Sequence, residues 1–267
     1  HNGDAFDVTT LDGERTRISS LFRNNGYFYY QSSYASYLAD TVSVPGKVLL
    51  RFQEADNVPA MAKRKWTIGK IDIDMRKDYN DTLRDSVSRR NFTVRFNGKK
   101  PPVKMGVILK NMRIMPKTYY SYLNHQESAN MLATTGMFSL VDFNFTPRDT
   151  TGLADTLDLH LNLLFDKPYD FYVQGNFTGK TNNRLGPGIT VGLTRRNAFR
   201  GGELLDINMK GSYEWQTGHK AQGTGSKLNS YEYGIDASLT FPRLIMPWAS
   251  AVRRKLIRRA IRTKYFP

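Results

Sequence analysis

The run Gly175-Asn176-Phe177-Thr178-Gly179-Lys180-Thr181 has the residue types of a phosphate-binding loop. Its glycines are four apart where that chemistry needs five, and it closes an alternating stretch instead of opening a helix. Gly186-Pro187-Gly188 has the wrong spacing for a dinucleotide fingerprint and a proline where backbone would approach phosphate. The four histidines, His1, His125, His160 and His219, are scattered without metal-ligand spacing. His160 stands among leucines on a strand-like run, where a solvated face is the expected role. The absence of cysteine excludes disulfides, thiolate nucleophiles and zinc–cysteine sites. No serine or carboxylate pair is arranged for acid–base work. The expectation is a protein with no catalytic residue, no metal and no cofactor.

What the chain does carry is alternation. In residues 169–178, Tyr169, Phe171, Val173, Gly175 and Phe177 alternate with Asp170, Tyr172, Gln174, Asn176 and Thr178. The run from Gly188 sets Ile189, Val191 and Leu193 against Thr190, Gly192 and Thr194. Residues 205–216 and 231–241 continue in the same way, with Asp206, Lys210, Glu214, Glu232 and Asp236 on the second face. Period two means strands with one apolar and one polar face. Soluble antiparallel sheets alternate too, but their strands are usually five or six residues long. These runs approach the roughly 9–11 residues of a tilted membrane-crossing strand, with aromatics toward their ends. They read as consecutive hairpins of a transmembrane β-barrel. Because even small membrane barrels need about eight strands, four strands predict an incomplete barrel and a chain that is part of something longer.

The elements before them are of another kind. Residues 11–25 predict a helix with Ile18, Leu21 and Phe22 on one face and Asn24-Asn25-Gly26 as its stop. A strand-like run at 27–37 and another at 48–52 follow. About 110 residues later the order returns: a helix over 119–135 ending at Gly136, then strands at 140–145 and 157–163. Only the second copy has a leading strand, at 66–75, so the chain is expected to start inside a module. Residues 76–104 read as a basic insertion, with Phe92, Val94 and Phe96 forming a hairpin before Asn97-Gly98. The predicted organisation is 1–62, a partial module; 63–167, a module with an insertion at 76–104; and 168–267, four barrel strands followed by a basic segment at 250–264.

The net charge of +15 is concentrated in two places. Residues 84–104 carry seven basic residues against Asp85, and 237–267 carry eight with no acid. In the second, Val252, Leu256, Ile257, Ala260 and Ile261 fall on one helical stripe, with Arg253, Arg254, Lys255, Arg258, Arg259 and Arg262 around it. A basic amphipathic helix suits an anionic membrane surface; a solvated loop with paired charges is the plainer alternative. No stretch of 18 apolar residues exists for a transmembrane helix. The sequence opens at His1 without a charged-then-apolar leader, so any signal segment is expected to have been removed.

The helix-then-Gly-aromatic steps at Gly26-Tyr27-Phe28 and Gly136-Met137-Phe138 resemble the signature of POTRA modules. The stretches at 186–193 and 197–202 resemble the second barrel strand of the Omp85 superfamily and the turn after it. Phe241-Pro242-Arg243-Leu244 with Pro247 is similar to the end of its fourth strand. The superfamily includes the BamA and TamA outer-membrane assembly proteins. The tyrosine-rich strands look most like the Bacteroidetes-type version, and the Asp-Thr and Asp-Ser steps such as Asp81-Thr82-Leu83 resemble its O-glycosylation sites.

This resemblance implies α+β POTRA modules in the periplasm, β-α-α-β-β in order, leading into antiparallel strands of a barrel in the bacterial outer membrane. It implies partners rather than substrates: unfolded outer-membrane proteins, accessory assembly subunits and the lipid bilayer, with no nucleic acid. Clients would add as strands at an exposed sheet edge, and the first barrel strand, with Tyr169, Phe171, Val173, Gly175 and Phe177, would be one side of a gate. Two rival classes remain beside it. One is a nucleic-acid-binding protein, suggested by the pI of 9.9 but lacking a basic strand face with stacking aromatics. The other is a porin or adhesin, which would lack the Gly-aromatic repeat.

Overall fold

A computed structural model describes residues 6–149, 155–180, 184–216 and 229–242. The chain divides into two compact units, 1–166 and 167–267.

In the first unit, α1 (Val8–Asn24) starts at Asp7, whose carboxylate accepts from the Thr9 and Thr10 backbone N–H groups at 3.1 and 3.0 Å. It stops at Gly26, which takes the left-handed φ of 104° that glycine tolerates. Ile18 and Phe22 are half-buried, whereas Leu21 faces solvent. The strand expected over 27–37 is not one: turns and a short 3-10 helix (Ser32–Tyr34) precede β1 (Ala35–Asp40). The aromatics that made this run strand-like are held by tertiary contacts. Tyr30 stacks on Phe22 at 4.4 Å, and Phe28 packs edge-on against Tyr120 at 4.8 Å. β1 pairs antiparallel with β2 (Leu49–Glu54) in a two-stranded sheet.

The rest of the unit is a five-stranded sheet with two helices. Its strands are β3 (Thr67–Arg76), β4 (Asp85–Arg89), β5 (Phe92–Phe96), β6 (Phe138–Pro147) and β7 (Thr156–Phe165), in the spatial order β4-β5-β3-β7-β6. β3 runs parallel to both β5 and β7, and β6 runs antiparallel to β7. Helices α2 (Met105–Lys110) and α3 (Tyr122–Thr134) lie between the hairpin and β6 in sequence. The order is therefore β-α-α-β-β with a hairpin added, and that hairpin extends the sheet beside β3 instead of interrupting it. Its reversal is at Arg90-Asn91, with Arg90 at φ 55°, and not at Asn97-Gly98.

The core follows from strand period. Ile71, Ile73 and Met75 of β3 and Leu157, Leu159, Leu161 and Leu163 of β7 are all buried on one face, against Val107, Ile108 and Leu132 of the helices. Burying each such side chain contributes roughly 1.5–3 kcal/mol. The opposite face is polar and paired: Arg95 Nε donates to Asp74 at 2.6 Å, and Arg148 reaches Asp158 at 2.6 Å. Burial alone would push the Asp158 carboxyl up, but the Arg148 and Lys70 hydrogen bonds and charges outweigh it and hold it below its ordinary value.

The second unit is an antiparallel meander of β8 (Tyr169–Lys180), β9 (Arg184–Arg196), β10 (Leu204–Gln216) and β11 (Ser230–Thr240), in that order across the sheet. It is not closed among the described residues. The connection from Lys180 to Arg184 is the shortest, and the middle connection, 197–203, is longer. That middle turn is built around Glu203, which is buried. Its carboxylate accepts from the backbone N–H groups of Gly201 at 2.8 Å and Phe199 at 3.3 Å, while Asn197 Oδ1 accepts from Gly202 N–H at 3.1 Å. Near the other end, a Cβ on Gly186 would overlap the Tyr213 carbonyl, so only glycine lets β9 and β10 approach there.

Candidate functional site

Sheet edges are the features that could engage another chain. In the first unit β7 is flanked on both sides, so β6 is the open edge beside it. Ser139, Leu140, Asp142 and Asn144 of β6 are exposed, while Val141, Phe143 and Phe145 lean on the core. α3 backs this strand, and His125 sits among Phe143, Phe145, Tyr120 and Tyr122. Burial first, then the Arg23 charge, lowers the His125 pKa below its ordinary value.

In the second unit β8 is the open edge at one side and β11 at the other among the described residues. Tyr169, Phe171, Val173 and Phe177 are exposed by 53%, 68%, 57% and 62%, and with Gly175 they occupy one face of β8. Their partners across the ladder are Arg195, Leu193, Val191, Ile189 and Pro187. The same rows continue into β10 and β11, as in Val173–Val191–Met209–Ile235. The result is one apolar face running across four strands, with large exposed side chains in every strand. The Arg195 guanidinium lies 5.5 Å over the Tyr169 ring, and Phe177 meets Trp215 edge-on at 6.0 Å.

The reverse face is a polar network. Asp170 pairs with Arg196 at 2.5 Å, Lys210 with Asp236 at 2.6 Å, and Thr194 Oγ1 donates to Asp206 at 3.2 Å. Tyr172 Oη donates to Asn208 at 2.7 Å over Gly192. The alternation predicted both faces, but not the span of Tyr172 across an intervening strand. Its signal in sequence was the small residue Gly192 amid threonines.

The other predicted residues fall as follows. Arg253, Arg254, Lys255, Arg258, Arg259 and Arg262 lie outside the described residues. His160 is on the polar face of β7, its Nδ1 3.8 Å from Asp72. Among the described residues no group of three or more metal-ligating side chains comes together. The phosphate-loop-like run lies within β8 up to Lys180, and a strand, β9, follows it. Sequence reading did not anticipate a cleft in the first unit, lined by Arg89, Arg90, Phe92, Met105, Leu109 and Lys117.

No family model matches the chain and no curated protein matches it. Solved structures to which it is similar include BamA from Haemophilus ducreyi lacking POTRA domains 1–3, at 12% identity and TM-score 0.49, covering 90% of this chain and 42% of that one. Another is CdiB from Acinetobacter baumannii, at 13% identity and TM-score 0.37, covering 80% of this chain and 33% of that one. A third is POTRA1–3 of the periplasmic domain of Omp85 from Anabaena, at 14% identity and TM-score 0.30, covering 62% and 54%. The chain thus spans between 33% and 54% of the length of these three.

Proposed function

We propose that the protein is an outer-membrane assembly or translocation factor that receives unfolded client chains by strand addition and passes them through a gate in a membrane barrel. The observation that carries this reading is β8. It is an open edge strand whose exposed apolar face continues across β9, β10 and β11, opposite a hydrogen-bonded polar face. A sheet with one continuous exposed apolar face needs a nonaqueous neighbour, and lipid is the neighbour that accepts four such strands at once. An open edge there offers unpaired backbone groups to an incoming strand, which is costly in lipid unless a strand arrives. Backbone pairing tolerates many client sequences, with side-chain pockets adding preference. β6 offers a second open edge in the α/β unit, in the periplasm on this reading, where a client would be held before it reaches β8. Accessory subunits would compete for the same edges. No covalent step is needed, and the work is done by hydrogen bonds and burial.

Because the chain has no cysteine, single cysteines can test both edges. Asn144→Cys in β6 and Gln174→Cys in β8, each mixed with an unfolded barrel protein bearing one cysteine, should form disulfide-linked complexes in lipid vesicles. A control in the flanked strand β7, His160→Cys, should form none. A chain that stays in the aqueous phase, or cysteines that trap client equally at all three positions, would overturn the proposal.

A further inference from the structure

The hairpin β4–β5 is the part of the first unit that the proposed function leaves without a role, and it carries a concentrated charge. Its reversal and the segment after α2 enclose a cleft of ≈ 860 Å³. That is within the usual size range for a ligand site, about 300–1,000 Å³. The floor is apolar, made by Phe92, Met105 and Leu109, and the rim is Arg89, Arg90 and Lys117. Among the described residues none of the three rim cations has a carboxylate partner. Two of them are also held in backbone conformations that glycine prefers, Arg90 at φ 55° and Lys117 at φ 65°. Strain of this kind gathers at ligand sites more than elsewhere.

We propose that this cleft, together with the open edge of β4, binds an extended peptide segment in which an aromatic or aliphatic side chain stands two residues from a carboxylate. β4 ends the sheet, so its outer backbone groups face no strand among the described residues. Along it Ser86 and Ser88 are short and exposed and leave the backbone accessible. Arg89 stands directly opposite Phe92 in the ladder, and paired residues project to the same face, here the side that carries α2. A strand added outside β4 therefore places one of its residues beside Arg89 on the α2 side. A carboxylate there gains a cross-strand charge pair, with Arg90 and Lys117 at hand, and the apolar side chain two residues along, on the same face, enters the cleft over Phe92 and Met105. Exposed Val87, two residues earlier on the same face, extends the apolar contact. A lipid phosphate would use the cations but has no use for the strand edge, which is why the edge decides for peptide. The inference rests on the proposed function only in taking clients as extended chains, and it uses a different edge from β6 and β8.

The test uses the full chain in maltoside micelles. The probe is a fluorescein-labelled ten-residue peptide alternating valine and threonine, with a central Phe-Thr-Glu, read by anisotropy. The variant is Arg90→Gly with Lys117→Gly, which removes two charges while relaxing both strained positions, so circular dichroism and melting should hold or improve. The variant should bind the probe at least tenfold more weakly, and the parent should bind a Phe-Thr-Lys version of the probe at least tenfold more weakly. Equal affinity of parent and variant, or of the two probes, would overturn the proposal. So would displacement of the probe by phosphatidylglycerol vesicles but not by unlabelled peptide, which would assign the cleft to lipid headgroups. Client capture at Asn144→Cys and Gln174→Cys, repeated in the variant, reports separately on the proposed function.

Discussion

Tyr172 of β8 hydrogen-bonds Asn208 of β10 at 2.7 Å, although β9 lies between them. The phenol passes over Gly192, where a Cβ would overlap the ring. Asn208 in turn stands 3.5 Å from Asp206, which accepts from Thr194. The open edge strand is thus tied to the third strand as well as to its neighbour. A strand paired on one side only gains further order from the polar face.

This bridge makes separable predictions. Tyr172→Phe removes one hydrogen bond and should lower sheet stability by about 1 kcal/mol. Gly192→Ala puts a methyl group under the ring, turns Tyr172 away and should cost about 1–3 kcal/mol. In a Tyr172→Ala background the same Gly192→Ala change should cost little, because nothing is left to displace. Trp215 fluorescence during denaturant unfolding in micelles reads all three. Equal costs of Gly192→Ala in the two backgrounds would show that the ring does not depend on the glycine.

A second long connection joins the two halves of the α/β unit. Asn24, the last residue of α1, accepts from the Leu123 backbone N–H at 2.7 Å, and Ser121 accepts from Asn124 at 3.3 Å. The first turn of α3 therefore has one N–H satisfied by its own cap and another by a residue of a different helix. The Arg23 guanidinium lies 4.1 Å over the Tyr122 ring beside them. Asn24→Ala should cost about 1 kcal/mol and speed hydrogen exchange at Leu123, while Asn24→Asp should keep the acceptor and the protection. Unchanged exchange at Leu123 in the alanine variant would contradict this role.

Local pattern explains what could be foreseen. β3 and β7 were legible because Ile71, Ile73, Met75 and the leucines from Leu157 to Leu163 keep period two over a polar second face. Both helix stops were legible because Gly26 and Gly136 do adopt positive φ, at 104° and 64°. Residues 27–37 misled because aromatic density looks the same whether it builds a strand or a tertiary cluster, and Phe28 and Tyr30 belong to the latter. The hairpin turn was misplaced because Asn97-Gly98 has the favoured turn composition while Arg90 bears the unusual φ. The alternation along β8 could be read directly, whereas β6 as the open edge depends on sheet order. The Asn24–Leu123 bond and the pairing of Arg90 with Lys117 around one cleft join residues far apart in sequence, for which no local signal exists.

The half-buried imidazole of His125 sets a pH dependence. It lies 3.3 Å from the Tyr120 hydroxyl and is ringed by Tyr122, Phe143 and Phe145, with Arg23 of α1 as the charged group facing it. Burial, then the Arg23 charge, lowers its folded-state pKa. The unfolded chain, with a pKa of about 6.5, then takes up the proton first as pH falls. Stability should therefore be full above that value, decline as pH drops below it, and level off once the folded state also binds the proton. His125→Phe keeps a ring in the aromatic cluster and has nothing to protonate, so its stability should stay flat from pH 7 to pH 5. Urea unfolding of both proteins across that range, followed by Trp66 fluorescence from the same unit, measures the difference directly. Parallel slopes for the two would mean that some other group titrates, and the charge of Arg23 beside His125 would then have no part in it.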